Sequence, residues 1–137
     1  MEEVSAHRDA SALASHQQGS GEPCANARGL DAPDAELYAR FFQVLSDPTR
    51  VRLLYLLLDA QERGRTVSEL VEAIGAPQGR ISTHLGCLRW CGLVQPSREG
   101  KYVFYRIADP RVRQLLALGG AIMRDHAAGV ASCGVIR

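Results

Sequence analysis

The sequence predicts a mainly α-helical domain that carries one small β-hairpin. Two observations lead there. Apolar residues recur at helical spacing through five segments between about residue 34 and residue 127. Two β-rich runs, Leu93 to Ser97 and Tyr102 to Ile107, flank Arg98-Glu99-Gly100-Lys101, which is a hairpin signal.

A chain of 137 residues has room for one compact domain of about 100 residues with flexible ends. Its apolar fraction of 46% and charged fraction of 23% suit a globular protein. Apolar stretches such as Leu53 to Leu58 and Leu115 to Met123 fall short of the roughly 20 residues that cross a bilayer. The first thirty residues lack a continuous apolar run and carry Glu2, Glu3 and Asp9, unlike a secretory signal. The expectation is a cytoplasmic protein with no membrane partner. In a reducing compartment the four cysteines point to metal or redox chemistry before a disulfide framework.

Residues 1–33 are Ala, Ser, Gly, Gln and charge. They cannot bury enough surface to offset their ordering entropy, and read as a flexible arm. Order is expected from Asp34, as N-cap of a helix with Leu37, Tyr38, Phe41, Phe42 and Leu45 on one face. Asp47-Pro48 restarts the chain as cap and first-turn proline. The helix that follows, with Val51, Leu53, Leu54, Leu57 and Leu58, is apolar on most sides and so central to the core. Gln61 to Arg65 reads as a polar loop. Thr66 and Glu69 form a capping-box pattern for a short helix with Val67, Leu70, Val71 and Ile74 inward. Gly75-Ala76-Pro77 breaks the chain, and a helix from about Gln78 to Trp90 points Ile81, Leu85 and Leu88 inward before Gly92 stops it. Trp90 reads as a packing residue at that helix end. After the hairpin, Asp109-Pro110 opens a last helix with Val112, Leu115, Leu116, Leu118, Ile122 and Met123 as its stripe. Residues 34–127 form the domain, and residues 128–137 a flexible tail that holds Cys133.

A short helix, a glycine-containing turn, a longer helix and a hairpin are the order of a winged helix-turn-helix. Between Gln78 and Arg106 stand five basic residues, Arg80, Arg89, Arg98, Lys101 and Arg106, against one acid, Glu99. Such a helix and wing can neutralise the phosphates of double-stranded DNA. Gln78, Arg80, Ser82, Thr83 and His84 on the outward face, with Arg98 and Lys101 on the wing, are the candidate DNA contacts. A solvated polar face with a structural hairpin is the plainer alternative. Arg50 and Arg52 fit phosphate contact and surface charge equally.

Leu45-Ser-Asp-Pro-Thr-Arg-Val-Arg-Leu-Leu54, Ser68-Glu-Leu, Arg80-Ile-Ser-Thr-His-Leu85, Cys91-Gly-Leu-Val94 and Glu99-Gly-Lys-Tyr-Val-Phe-Tyr-Arg106 resemble, in order, the signatures of the ArsR/SmtB metal-sensing repressors. The resemblance spans about Asp34 to Ala127. It implies a homodimer built on the first and last helices, with two recognition helices in adjacent major grooves of an imperfect palindrome. It also implies repression that ends when a metal binds.

Cys87 and Cys91 are four residues apart and share one helix face, with Cβ atoms about 5–6 Å apart. Small rotamer changes bring both sulfurs to one soft ion at roughly 2.3–2.6 Å. A pair of buried, small apolar cysteines is the alternative. Within the family, the pair resembles that of a cadmium- and lead-sensing type, which adds a third cysteine from the C-terminal tail. That resemblance implies Cys133 as third ligand, with Cys24 in the arm as alternative or additional ligand. Three thiolates suit Cd(II) or Pb(II), favoured by the resemblance, and also Hg(II) or As(III). Other metal sites of the family are missing: Glu69-Leu-Val-Glu-Ala73 replaces a Cys-x-Cys, Asp109-Pro-Arg111 replaces an Asp–His pairing, and His126 has no evident partner. His7 and His16 in the arm carry no signal. A thiol-redox or persulfide-responsive repressor of the same fold competes with the metal reading. A small thiol-dependent enzyme needs a base beside its cysteine, and the nearest histidine, His84, falls on the expected DNA face.

Overall fold

The structure, a computed structural model, describes residues 29–136. The chain divides between Gln43 and Val44 into two units. The first contributes most of helix α1 (Ala32–Val44). Its cap is Asp31, whose Oδ1 accepts the Asp34 N–H at 3.0 Å. The expected cap at Asp34 is therefore corrected by one turn. Pro33, lacking an N–H, sits within the first turn, where no intrahelical donor is needed. Phe41 and Phe42 meet edge to face at 5.3 Å, and Leu37, Tyr38 and Phe42 stay exposed.

The second unit is built around α2 (Pro48–Ala60) and α4 (Gln78–Trp90). Asp47 caps α2 by accepting the Arg50 N–H at 3.1 Å, with Pro48 in the first turn. Leu53, Leu54 and Leu57 are fully buried, as are Leu70 of α3 (Val67–Ile74) and Ile81, Leu85 and Leu88 of α4. Both halves of the Thr66–Glu69 capping box are present, and Gly75 closes α3 in the left-handed conformation. The end of α4 is a Schellman motif. Gly92 at φ +82° sends its N–H to Arg89 O, and Leu93 N–H reaches Leu88 O.

The hairpin pairs β2 (Val94–Glu99) with β3 (Tyr102–Ile107), from Val94 opposite Ile107 to Glu99 opposite Tyr102. Strands thus run to a two-residue turn, Gly100-Lys101, with Gly100 at φ +66°. Positive φ at the first turn position alone is the pattern of a type II′ turn, whose twist suits a hairpin. The expected loop from Gln61 to Arg65 is instead a 3-10 turn (Gln61–Arg63) followed by β1 (Arg65–Thr66), which joins the sheet antiparallel to β3 in the order β1-β3-β2. Two residues carry no detectable alternation, so this strand exists only through its distant partner.

Helix α5 (Arg111–Asp125) buries Val112, while Leu118, Ile122 and Met123 remain exposed. Beyond His126 the expected loose segment begins with one more short helix, α6 (Ala127–Ser132). Three alanines favour it, and Ser132 Oγ closes its end by donating to Ala128 O at 2.8 Å. Only residues 133–136 of the described tail are non-helical. No helix among the described residues is long and apolar enough to cross a membrane.

Gly64 joins the 3-10 turn to β1 at φ +73°, and a Cβ there would lie 2.5 Å from Tyr105 O and 2.8 Å from Arg106 Cγ. Backbone strain and steric overlap act together. Gly64→Ala should cost about 2 kcal/mol or more in thermal unfolding. Gly86→Ala, in a helix with open space around the new methyl, should be neutral or gain about 0.5–1 kcal/mol. Equal melting temperatures for the two variants would contradict this account of the crossing.

Candidate functional site

Ile81, Leu85 and Leu88 bury one face of α4, and this fixes what the helix shows to solvent. Gln78, Arg80, Ser82 and Thr83 are all exposed. Thr83 Oγ1 is engaged with Gly79 O at 2.9 Å, within the helix. Arg80 makes no side-chain hydrogen bond or ion pair among the described residues, so its guanidinium is presented to solvent with all its donors. Arg98 and Lys101 are exposed on the wing, with Lys101 Nζ 5.7 Å from the Tyr102 ring centroid. Arg106 is not part of that free charge: it pairs with Glu99 at 2.6 Å and donates to Glu62 O.

His84 departs from expectation. Its side chain is only 15% exposed, with Nε2 3.7 Å from Asp47 Oδ2 and Nδ1 3.3 Å from Arg50 Nη1. Arg50 in turn donates from Nε to Val44 O. The ring is therefore engaged by the start of α2 and is less exposed than the outward face that was expected for it. Arg50 likewise faces inward, which excludes a purely superficial charge. No local pattern signals this cluster, because Arg50 and His84 are 34 residues apart in the chain.

Trp90 also differs. Expected to pack, it is 91% exposed. Two residues beyond Leu88 the helix has rotated by about 200°, which turns the indole away from the core.

Cys87 lies half-buried within α4 and Cys91 is exposed at its C-cap, one turn on, with the Cys91 N–H bonded to Cys87 O at 3.1 Å. Burial pushes the Cys91 thiol above its usual range, the adjacent Cys87 adds to this by charge and by a thiol hydrogen bond, and the Arg50 charge opposes it. The two sulfurs thus face one another across one turn of the helix. Two thiols so placed are chemically able to share one soft metal ion. Cys133 is a free, half-buried thiol at the C-cap of α6. Among the described residues no group of three Cys, His, Asp or Glu gathers in a way that could hold a metal. Cys24, His7 and His16 lie outside the described residues.

Residues 47–95 match the family described as "Bacterial regulatory protein, arsR family". Over 95 residues the chain is 44% identical to the "Probable mercury resistance operon repressor" of Streptomyces lividans, covering 69% of this chain and 74% of that one. The chain belongs to the ArsR family. Among solved structures, Rv0081 of Mycobacterium tuberculosis superposes with a TM-score of 0.66 at 34% identity, over 74% of this chain and 100% of that one. The homodimeric winged helix-turn-helix DNA-binding domain of Mb0332 from Mycobacterium bovis gives 0.61 at 31% identity, over 72% and 92%. The fold is a winged helix-turn-helix with α3 and α4 as its two helices and β2–β3 as its wing. The ArsR-family protein is a transcriptional regulator and not an enzyme.

Three carboxylates in this regulator are held below their ordinary range. At Asp47 burial acts upward, but it is outweighed by the Arg50 N–H and by the charges of His84 and Arg50. At Glu69 the Arg63 guanidinium and the Thr66 N–H lower it, and at Asp109 the side chain and backbone of Arg111 do. Groups ionised more readily in the folded state stabilise it fully above their unfolded pKa and lose that contribution as pH falls through the folded one. The contribution of these carboxylates to the melting temperature should be constant above about pH 5 and fall progressively below about pH 4. A melting temperature that rises on acidification from pH 5 to pH 3 would contradict these pairings.

Proposed function

We propose that the protein is a homodimeric repressor that reads operator DNA with α4 and the wing, and leaves it when a soft metal ion binds Cys87, Cys91 and a third thiolate. The observation that carries this reading is the thiol pair on the same helix that presents Arg80. An ion bound at the C-terminal end of α4 acts directly on the element that would enter the major groove. The family, the relative named for mercury resistance and the homodimeric neighbour support it. Exposed Leu37, Tyr38 and Phe42 of α1 and Leu118, Ile122 and Met123 of α5 supply the apolar surface that a dimer through the first and last helices would cover.

Cys133 of the second copy is the third ligand in this reading, with Cys24 as the alternative. Support comes from the lack of a third donor beside the pair among the described residues and from the non-helical stretch 133–136 that follows α6. Cd(II) and Pb(II) fit three thiolates, as do Hg(II), favoured by the Streptomyces relative, and As(III). The facing thiols also suit a redox or persulfide response. A thiolate-to-metal charge-transfer band on titrating the reduced protein separates the two.

Arg80→Ala should weaken operator binding by about 1–3 kcal/mol if the guanidinium makes a bidentate base contact. Unchanged affinity on operator and random DNA would remove α4 from the interface.

Cys87→Ser should keep operator affinity and lose metal-induced release, since a hydroxyl is a poor ligand for soft ions. Cys133→Ser should weaken metal binding and release together while Cys24→Ser does little. A Cys87→Ser protein released at the wild-type metal concentration would overturn the site, and an essential Cys24 with a dispensable Cys133 would move the third ligand to the arm.

A further inference from the structure

We propose that His84 is a positioning residue for DNA reading: its ring, held by the start of α2, sets α4 so that Arg80 is presented to the operator, and it touches no nucleic acid itself. The inference rests on the DNA-reading role of α4 and deepens it.

The core decides which face α4 buries. Ile81, Leu85 and Leu88 are fully buried, but apolar burial has no preferred direction and tolerates small shifts of a helix along its axis. A hydrogen bond has a defined geometry and does not. His84 supplies such a bond. Its side chain is 15% exposed, and Nδ1 lies 3.3 Å from Arg50 Nη1. A guanidinium only donates, so Nδ1 accepts, and the proton of the neutral ring falls on Nε2, which faces Asp47 Oδ2 at 3.7 Å. Arg50 is itself anchored. Its Nε donates to Val44 O, its backbone N–H is held by Asp47 Oδ2, and the Asp47 carboxylate attracts its guanidinium. The ring is thus tied to a post that belongs to the α2 N-terminus, 34 residues upstream.

Arg80 stands one turn before His84 on the same helix, about 40° away around its axis. Setting the ring therefore sets the guanidinium near the N-terminal end of α4, the end that reaches base edges in a helix-turn-helix. Bases are read through bonds of fixed geometry, whereas phosphates attract basic residues at many settings of the helix. When the link to α2 is lost, a smaller fraction of molecules holds α4 in the reading position. Apparent operator affinity then falls by the same factor, while attraction to DNA of any sequence persists.

The test uses the full-length, reduced, metal-free protein and leaves Arg50, with its several contacts, intact. His84→Leu fills the space without polar atoms, and His84→Gln returns a donor and an acceptor at similar reach. Affinity for operator and for random DNA is measured across salt concentrations, beside the melting temperature. His84→Leu should weaken operator binding about fivefold or more, with random-DNA affinity and salt slope unchanged. His84→Gln should recover most of the loss. The double variant Arg80→Ala/His84→Leu should bind operator no more weakly than Arg80→Ala alone, because the ring acts through Arg80. In nitrogen NMR spectra in mildly alkaline buffer, with the His84 signals assigned by their loss in His84→Gln, the ring should carry its proton on Nε2, before and after operator is added. A lowered melting temperature with unchanged operator affinity in His84→Leu is a merely structural role and overturns the proposal. Additive losses in the double variant, or ring nitrogens that shift when operator binds, mean direct contact with DNA and also overturn it. Should His84→Leu fail to fold, the ring spectra decide alone. An Arg80→Ala protein that binds operator as tightly as the unsubstituted one is a different failure, that of α4 as the DNA-reading helix.

Discussion

The rotation of α4 about its own axis is the constraint on which the rest of the molecule depends. Ile81, Leu85 and Leu88 are fully buried, as are Leu53, Leu54, Leu57 and Leu70, and truncating any one of them would remove about 2–5 kcal/mol of stability. With that face committed to the core, every other residue of the helix has its direction assigned. Arg80 looks out, His84 turns towards α2, and Cys87 and Cys91 follow His84 along one stripe. In the proposed reading, one rigid rod carries both the DNA-reading surface and the metal-reading one.

Around the rod, the chain ends are set by local chemistry. Asp47, the Thr66–Glu69 box, Gly75 and the Gly92–Leu93 Schellman closure each satisfy backbone groups that a helix end leaves unpaired. Gly64 lets the backbone pass within reach of Tyr105 O, and so lets β1 join the sheet beside β3. Asp47 has two tasks, capping α2 and facing His84, so the start of α2 and the orientation of α4 are not independent.

Nearly all of the helical order was legible in the sequence, because caps, glycine stops and leucine spacing are local signals that agree with one another. What escaped the sequence was set by distant partners. The two-residue β1 is defined only by its ladder to β3. Asp31 displaced Asp34 as cap because Pro33 needs no donor and so the helix could start earlier. The α6 turn came from alanine propensity in a segment that has no apolar stripe. At the site, Gln78, Arg80, Ser82, Thr83, Arg98 and Lys101 are exposed, as their spacing predicts. His84 is half-buried because its two partners sit more than thirty residues upstream, and Trp90 is exposed where packing was expected. The proximity of Cys87 and Cys91 was readable from spacing alone, whereas Cys133 or Cys24 as a third ligand came from the resemblance, and no third donor gathers beside the pair among the described residues.

The central claim is that one helix state suits DNA and another suits the metal, so the two ligands must oppose each other reciprocally. Metal affinity of the reduced protein, free and saturated with operator DNA, measures this directly. The ion should bind the operator complex more weakly by the same factor by which it weakens operator binding, about 5–150-fold for an ordinary coupling. Equal metal affinity in the free and DNA-bound protein would contradict the account.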